Sequence, residues 1–401
     1  MNPRTMILAV IALTTAIHAQ VKTWTDVQGR TMEAKFVRLE GDSVYFLKNG
    51  RTITFPLKQL SKKDRKTIDQ IVNPESPYKG VPTSGKHYLT KEKLIYPHNF
   101  DAPFPKNISA GDFEVIIVKE DKEASEFIYE SDHFQFHSNV RLKKTVVKEF
   151  AKTFEATFNY HMALPFGFPY PESDSGLSKY KTRLFDTKEA YVYAGAPESS
   201  AGVYFGRTDT IMIPLSSLGV KAGSTGCYLD RSKSSSVLVH EIAHQLSLNR
   251  GLHRPPNWWV EGFADYVDYT PFSVSSFKIS RKEKAMTEQV QRRFEYALEY
   301  GGGRFPNFKE YFQTRYWDKD ADGYHSSIYY GLGALLVYYF CHEDGDGNGQ
   351  AMRDYIVDLR KGVPYLKAEA SLLRGRSYDE FKKEFTSHWK RRGIDIEFVE
   401  E

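Results

Sequence analysis

The stretch that most constrains this chain lies between Val237 and Leu246. There His240, Glu241 and His244 interrupt a run of Val237, Leu238, Val239, Ile242, Ala243 and Leu246. A helix that is apolar around most of its circumference belongs in a core. Two imidazoles and a carboxylate inside it are costly unless each is paired or bound. Residues four apart on a helix are rotated by only about 40°, so His240 and His244 face the same way. Two imidazoles at that spacing supply half of the tetrahedral donor set that Zn2+ takes. Glu241 directly follows the first histidine, where it reaches a water at the metal without being a ligand.

A second segment extends the pattern. Pro255-Pro256 breaks the chain, Asn257 is placed to cap a new helix, and Trp258-Trp259-Val260-Glu261-Gly262-Phe263-Ala264-Asp265-Tyr266 follows. A helix returning past the first one delivers Glu261 as a third ligand. Asp265 lies one turn further on the same face, where its carboxylate accepts the remaining N–H of a ligating histidine and sets its tautomer. His253 is a weaker alternative ligand, in a loop close to the first helix. A third segment, Tyr330-Gly331-Leu332-Gly333-Ala334, opens a long apolar helix, with Tyr329 and His325 nearby.

Together these segments resemble the gluzincin metallopeptidases, the clan of thermolysin and the membrane-alanyl type aminopeptidases. Their pattern is His-Glu-x-x-His followed by an Asn-Glu-Gly-like segment, and position 260 here is Val where Asn is usual. The resemblance implies a zincin-like catalytic domain, Zn2+ held by His240, His244 and Glu261, and Glu241 as general base. It also implies that Tyr330, in the Tyr-x-x-Gly-Ala position, donates to the oxyanion; His325 is a possible substitute. The hairpin from Ala201 to Ile211 takes the place of the edge strand on which such enzymes hold an extended peptide. Gly202-Val203-Tyr204-Phe205-Gly206 lacks the carboxylate of the amine-anchoring motif, which favours an endopeptidase or an unusual exopeptidase. The likeness runs over residues 111–391 and includes Ser131-Asp132-His133-Phe134, in the manner of the peptidase-MA-like subgroup.

The remaining chain suggests α+β organisation. Met1 to Thr5 carries Arg4, Met6 to Ile17 is apolar, and Ile17-His18-Ala19 precedes Gln20. This reads as a signal peptide over 1–19, with export to a periplasm or the exterior. Residues 20–71 carry four or five short strands, Asn49-Gly50 as a two-residue hairpin turn, and a short helix from Lys62 capped by Ser61. They suggest a small SH3-type barrel and resemble the first Sla homology domain, an accessory module that implies a protein partner; Trp24 and Tyr45 belong to its core or to a binding face. Residues 72–110, rich in Pro, read as a linker. The metallopeptidase domain occupies 111–401, strands first and helices after.

Composition closes off other classes. The net charge is only +4 in 401 residues, too weak and dispersed for nucleic-acid binding. No later run is long enough to span a membrane. Two cysteines, Cys227 and Cys341, exclude a Cys-type zinc domain and leave one disulfide open. Asp318–Gly323 and Asp344–Gly349 imitate the start of a calcium loop but lack the closing Glu. The expectation is an exported zinc peptidase acting on a peptide or protein substrate. The alternatives are a non-catalytic envelope binding protein on the same fold, or a zinc hydrolase of another amide or ester.

Overall fold

The computed structural model describes residues 21–40, 43–48, 51–72, 102–166, 172–173, 176–177, 179–223, 226–230, 236–247, 252, 255–273, 275–300, 302–317 and 325–400. The expected signal peptide, the Asn49-Gly50 turn, most of the expected linker, His253 and the Asp318–Gly323 turn lie outside these residues. The chain divides into two compact units, Met1–Val81 and Pro82–Glu401.

In the first unit, β1 (Val21–Thr25), β2 (Thr31–Glu40), β3 (Ser43–Lys48) and β4 (Arg51–Pro56) form an antiparallel meander in chain order. The register pairs Lys48 with Arg51. Alternation drives Trp24, Ala34, Phe36, Val44 and Phe46 onto one buried face, closed by Leu60 and by Ile68 of α1 (Lys62–Val72). Trp24 belongs to this core, its indole N–H donating to the Ala34 carbonyl at 2.9 Å. Ser61 caps α1 by accepting the Asp64 N–H at 3.1 Å, and Asp64 accepts from the Thr25 N–H at 2.7 Å. The sheet is not a closed barrel. Among the described residues β1 and β4 are both edges, joined only through the single bridge Asp26–Leu60. Pro56 ends β4 and a 3-10 turn over Leu57–Gln59 follows, which leaves too few extended residues for a ladder.

The second unit mixes α and β. After β5 (Ile108–Ser109), the strands β6 (Ile116–Asp121), β7 (Glu126–Glu130) and β8 (Phe134–Ser138) run antiparallel. The long helix α2 (Lys144–Ala163) then crosses over. Beyond a short hairpin of β9 (Glu172–Ser173) and β10 (Gly176–Leu177), β11 (Tyr180–Phe185) enters parallel to β8. Helix α3 (Lys188–Tyr193) leads to the hairpin β12 (Val203–Phe205) and β13 (Thr210–Pro214). The resulting order is β12-β13-β11-β8-β7-β6, with β12 at one edge. The central strands are parallel because helical crossovers join them, a feature the block pattern of strands then helices did not reveal. Phe134 and Phe136 of β8 meet Phe154 of α2 with ring centroids 5.1 and 5.0 Å apart. In Ser131-Asp132-His133-Phe134, the His133 backbone N–H donates to Glu155 at 3.0 Å and its ring stacks on Phe158 at 3.7 Å, pinning sheet to helix.

After the hairpin of β14 (Val220–Gly223) and β15 (Gly226–Leu229), helices dominate. They are α4 (Ser236–Ser247), α5 (Asn257–Asp268), α6 (Lys282–Tyr300), α7 (Phe308–Gln313), α8 (Ser326–His342), α9 (Gln350–Arg360), α10 (Tyr365–Leu373) and α11 (Tyr378–Lys390). Pro256, not Asn257, is the N-cap of α5, and no side chain caps it. The sheet β16 (Phe272–Ser273), β17 (Ser276–Phe277) and β5 corrects the expected linker boundary. Residues 102–110 belong to the second unit. Ala110 donates to the Ser275 carbonyl at 2.9 Å, Arg353 donates to the Ala102 carbonyl at 2.9 Å, and Phe104 packs on Phe166 and His342. Cys227 and Cys341 are free thiols, the second fully buried. In the acidic turn after α8, Asp344 is held by Arg376 at 2.7 Å.

Helix α8 is buried from Ser327 to Cys341 apart from Tyr329. Helix α5 crosses it where Gly262 faces Gly333. A methyl group on Gly262 would lie 2.3 Å from the Gly333 carbonyl, and one on Gly333 would lie 2.8 Å from the Trp258 carbonyl. Both obstacles are backbone, so the helices themselves must separate. Gly262→Ala is expected to destabilise this unit by about 1–3 kcal/mol despite alanine's better helix propensity. Urea unfolding of the two proteins measures this, and an unchanged or raised midpoint contradicts it.

Candidate metal centre

Helix α4 lies between the sheet and the helical half, packed on α2, β12 and β13 on one side and on α5 on the other. This explains its apolar circumference. His240, Glu241 and His244 are all buried, as are Glu261 and Asp265 on α5. The local pattern also fits: helical spacing stacks His240 over His244 on α4, and Glu261 over Asp265 on α5.

The three expected ligands converge. His240 Nε2 and His244 Nε2 are 3.0 Å apart, and each is 3.2 Å from Glu261 Oε2. A tetrahedral ion with bonds of about 2.0–2.1 Å has ligand atoms about 3.3–3.4 Å apart. The observed triangle is close to one face of such a tetrahedron, and it leaves the fourth corner to a small molecule. Among the described residues, no other group of three His, Cys, Asp or Glu side chains meets in this way.

Asp265 takes the place expected of it. Its Oδ1 accepts from His240 Nδ1 at 2.9 Å, which turns Nε2 towards the other ligands. Two further groups, which the sequence reading did not anticipate, hold this carboxylate. Tyr269 donates its hydroxyl to Oδ2 at 2.7 Å and Arg293 of α6 donates at 3.1 Å. Tyr269 stands four residues after Asp265, so helical spacing alone could have found it. Arg293 gave no signal, because it lies on another, mostly polar helix and reaches Asp265 only through the fold. His244 Nδ1 is buried with no partner among the described residues.

The charges follow from this packing. Burial disfavours a charged His240, yet the hydrogen bonds to Asp265 and Glu261 prevail and raise its pKa well above the ordinary value. Burial likewise opposes ionised Glu261, but the two histidines bring it down to about 2. Asp265 is lowered against its burial by Arg293 and His240. Glu241 moves the other way: burial raises it above the usual carboxylate range. One of its oxygens, Oε2, accepts the Tyr204 backbone N–H at 2.7 Å; the other, Oε1, is buried with no partner among the described residues.

Tyr330 stands beside this group. Its ring is 6.2 Å from the His240 ring, with Trp317 packed edge-on at 5.3 Å and the Arg293 guanidinium 5.8 Å from its centroid. His325 is used differently. It is the N-cap of α8, its Nδ1 accepting the Ser327 N–H at 3.3 Å. No protein-family model matches this chain, and no curated protein does.

A ligating imidazole must be neutral, whereas His240 in the metal-free protein keeps its proton past its ordinary pKa of 6.5. Metal affinity is therefore expected to rise as pH increases above 6.5. Binding at pH 7 should release about one proton, which calorimetry in buffers of different ionisation enthalpy measures. Asp265→Asn should weaken metal binding by about 10–100-fold in a chelator competition. Wild-type affinity in that variant would remove Asp265 from the site.

Proposed function

We propose that this protein is an exported zinc peptidase of the gluzincin type. The observation that carries this reading is the near-tetrahedral face formed by His240, His244 and Glu261, with the bare oxygen of Glu241 buried beside it. Two imidazoles and one carboxylate also suit iron. A buried carboxylate that is no ligand favours hydrolysis, which needs a base, and so favours zinc. Bound there, zinc supplies Lewis acidity, acidifying water and polarising a carbonyl.

The chain's own residues do the rest. Glu241 Oε1 takes a proton from the attacking water and passes it to the leaving amine, a transfer suited to a carboxylate that burial has made more basic. Asp265 holds the His240 ring through the reaction. The Tyr330 hydroxyl donates to the developing oxyanion, where a neutral donor stabilises new charge without a buried counter-ion. β12 offers an outer strand edge next to Glu241 for an extended peptide.

The finer architecture belongs to the same proposal. The second unit is read as a zincin-like domain. The first is read as an SH3-like accessory module for a protein partner, supported by its meander and the 3-10 turn that brings Leu60 back to Asp26. Export rests on the N-terminal sequence. No described helix is long and apolar enough to cross a membrane.

The purified protein is expected to hold one zinc per chain by mass spectrometry and to cleave members of a peptide library until a chelator is added. Glu241→Gln should retain the metal and lose about 10²–10⁴-fold in kcat. Tyr330→Phe should lose about 10²–10³-fold in kcat. A metal-free protein, or full activity in Glu241→Gln, refutes the peptidase reading.

A further inference from the structure

β12 pairs with β13 on one side only, and the register fixes which way its backbone faces. Tyr204 stands opposite Ile211, and its N–H is directed to Glu241 Oε2 at 2.7 Å. The two oxygens of that carboxylate are therefore unequal: Oε2 is anchored and Oε1 is bare. A main-chain donor within a paired strand has no rotamers to lose, so it is a stiffer anchor than a side chain.

The hairpin that carries this donor is itself fastened to α4. Gln245, one turn after Glu241, donates from Nε2 to the Lys181 carbonyl on β11 at 3.0 Å and to the Asp209 carbonyl at 2.9 Å. The Tyr204 hydroxyl donates to Asp209 Oδ1 at 2.9 Å, and Asp209 adopts a left-handed φ of 48° in the turn. Glu241 and Gln245 thus grip the same hairpin at two points, so a shift of the turn would move the amide that holds the carboxylate.

We propose that the Tyr204 main-chain amide is the positioning group for Glu241: it holds Oε2 in place and leaves Oε1 alone to carry the proton, making the β12–β13 hairpin part of the hydrolytic apparatus. The inference rests on the peptidase reading. Without the anchor the glutamate side chain is free to rotate, and a misplacement of about 1 Å costs up to about 10²-fold in rate.

Tyr204→Pro deletes the donor, and proline is tolerated on an edge strand where the N–H faces away from the ladder. It is expected to lower kcat by roughly 10–100-fold. KM should stay within about three-fold and zinc content should not change, the signature of an interaction that serves the reaction step and not ground-state binding. Tyr204→Phe keeps the amide and releases only Asp209, so its loss should be smaller. A second measurement needs no activity. Hydrogen exchange of the 203–205 segment, followed by mass spectrometry with and without zinc, should be about ten-fold faster in Glu241→Ala than in wild type, because the Tyr204 amide then loses the carboxylate that accepts from it. Wild-type kcat in Tyr204→Pro, or unchanged exchange in Glu241→Ala, overturns the proposal. Should the wild-type protein cleave no peptide, the peptidase reading fails, and the exchange comparison decides the Tyr204–Glu241 contact by itself.

Discussion

The backbone contact between Gly262 and Gly333 sets the dimensions of the candidate metal centre. Each glycine sits close to a residue of the site, Gly262 directly after Glu261 and Gly333 three residues after Tyr330. Where they meet, α5 and α8 approach too closely for any side chain on Gly262. The separation of Glu261 from Tyr330 therefore depends on two rigid helices in backbone contact, not on flexible side chains. Helix α4 also packs against α5, so His240 and His244 are positioned against Glu261 by the same element. Loss of that contact would disturb both the triangle of His240, His244 and Glu261 and the Tyr330 ring beside it.

Around this crossing the fold buries many ionisable groups. A lone buried charge costs several kcal/mol. Here two of the carboxylates are shared: Asp265 serves His240, Tyr269 and Arg293 together, and Glu261 faces both histidines. Such a network gives little net stability compared with apolar packing of similar volume. What it supplies is geometry: the His240 ring is held from behind by Asp265, which Tyr269 and Arg293 hold in turn. Glu241 differs in that one oxygen is satisfied and the other is not, a state that is unfavourable in a folded core and useful in a base.

Much of this was legible along the chain, and the limits have physical causes. Helical period placed His240 with His244, and Glu261 with Asp265, because i and i+4 residues share a face whatever the tertiary context. Trp24 was expected in a core or on a binding face, and the structure puts it in the core with Phe36 and Phe46. Arg293 was invisible, since nothing local links α6 to Asp265. The contact of Tyr204 with Glu241 was invisible too, because a backbone donor has no sequence signature and any residue supplies one. The barrel expected of residues 20–71 proved an open meander, as strand count does not reveal whether the last residues are long enough to pair with the first. Residues 102–110 looked like linker because their prolines interrupt periodicity, yet a short ladder and an arginine dock them.

The sequence by itself determined the side-chain types of His240, His244 and Glu261, their helical faces, the buried character of α4 and the position of Glu241 beside the first histidine. These follow from side-chain chemistry and from local backbone geometry, which act over one or two turns. Only the tertiary structure decided that the two faces meet with their ligand atoms 3.0 and 3.2 Å apart. It alone brought Arg293 to share Asp265 and anchored one oxygen of Glu241 on the outer strand of the sheet. Those distances depend on how closely helices cross and on which strand lies at the edge, and both are settled by packing between segments far apart in the chain.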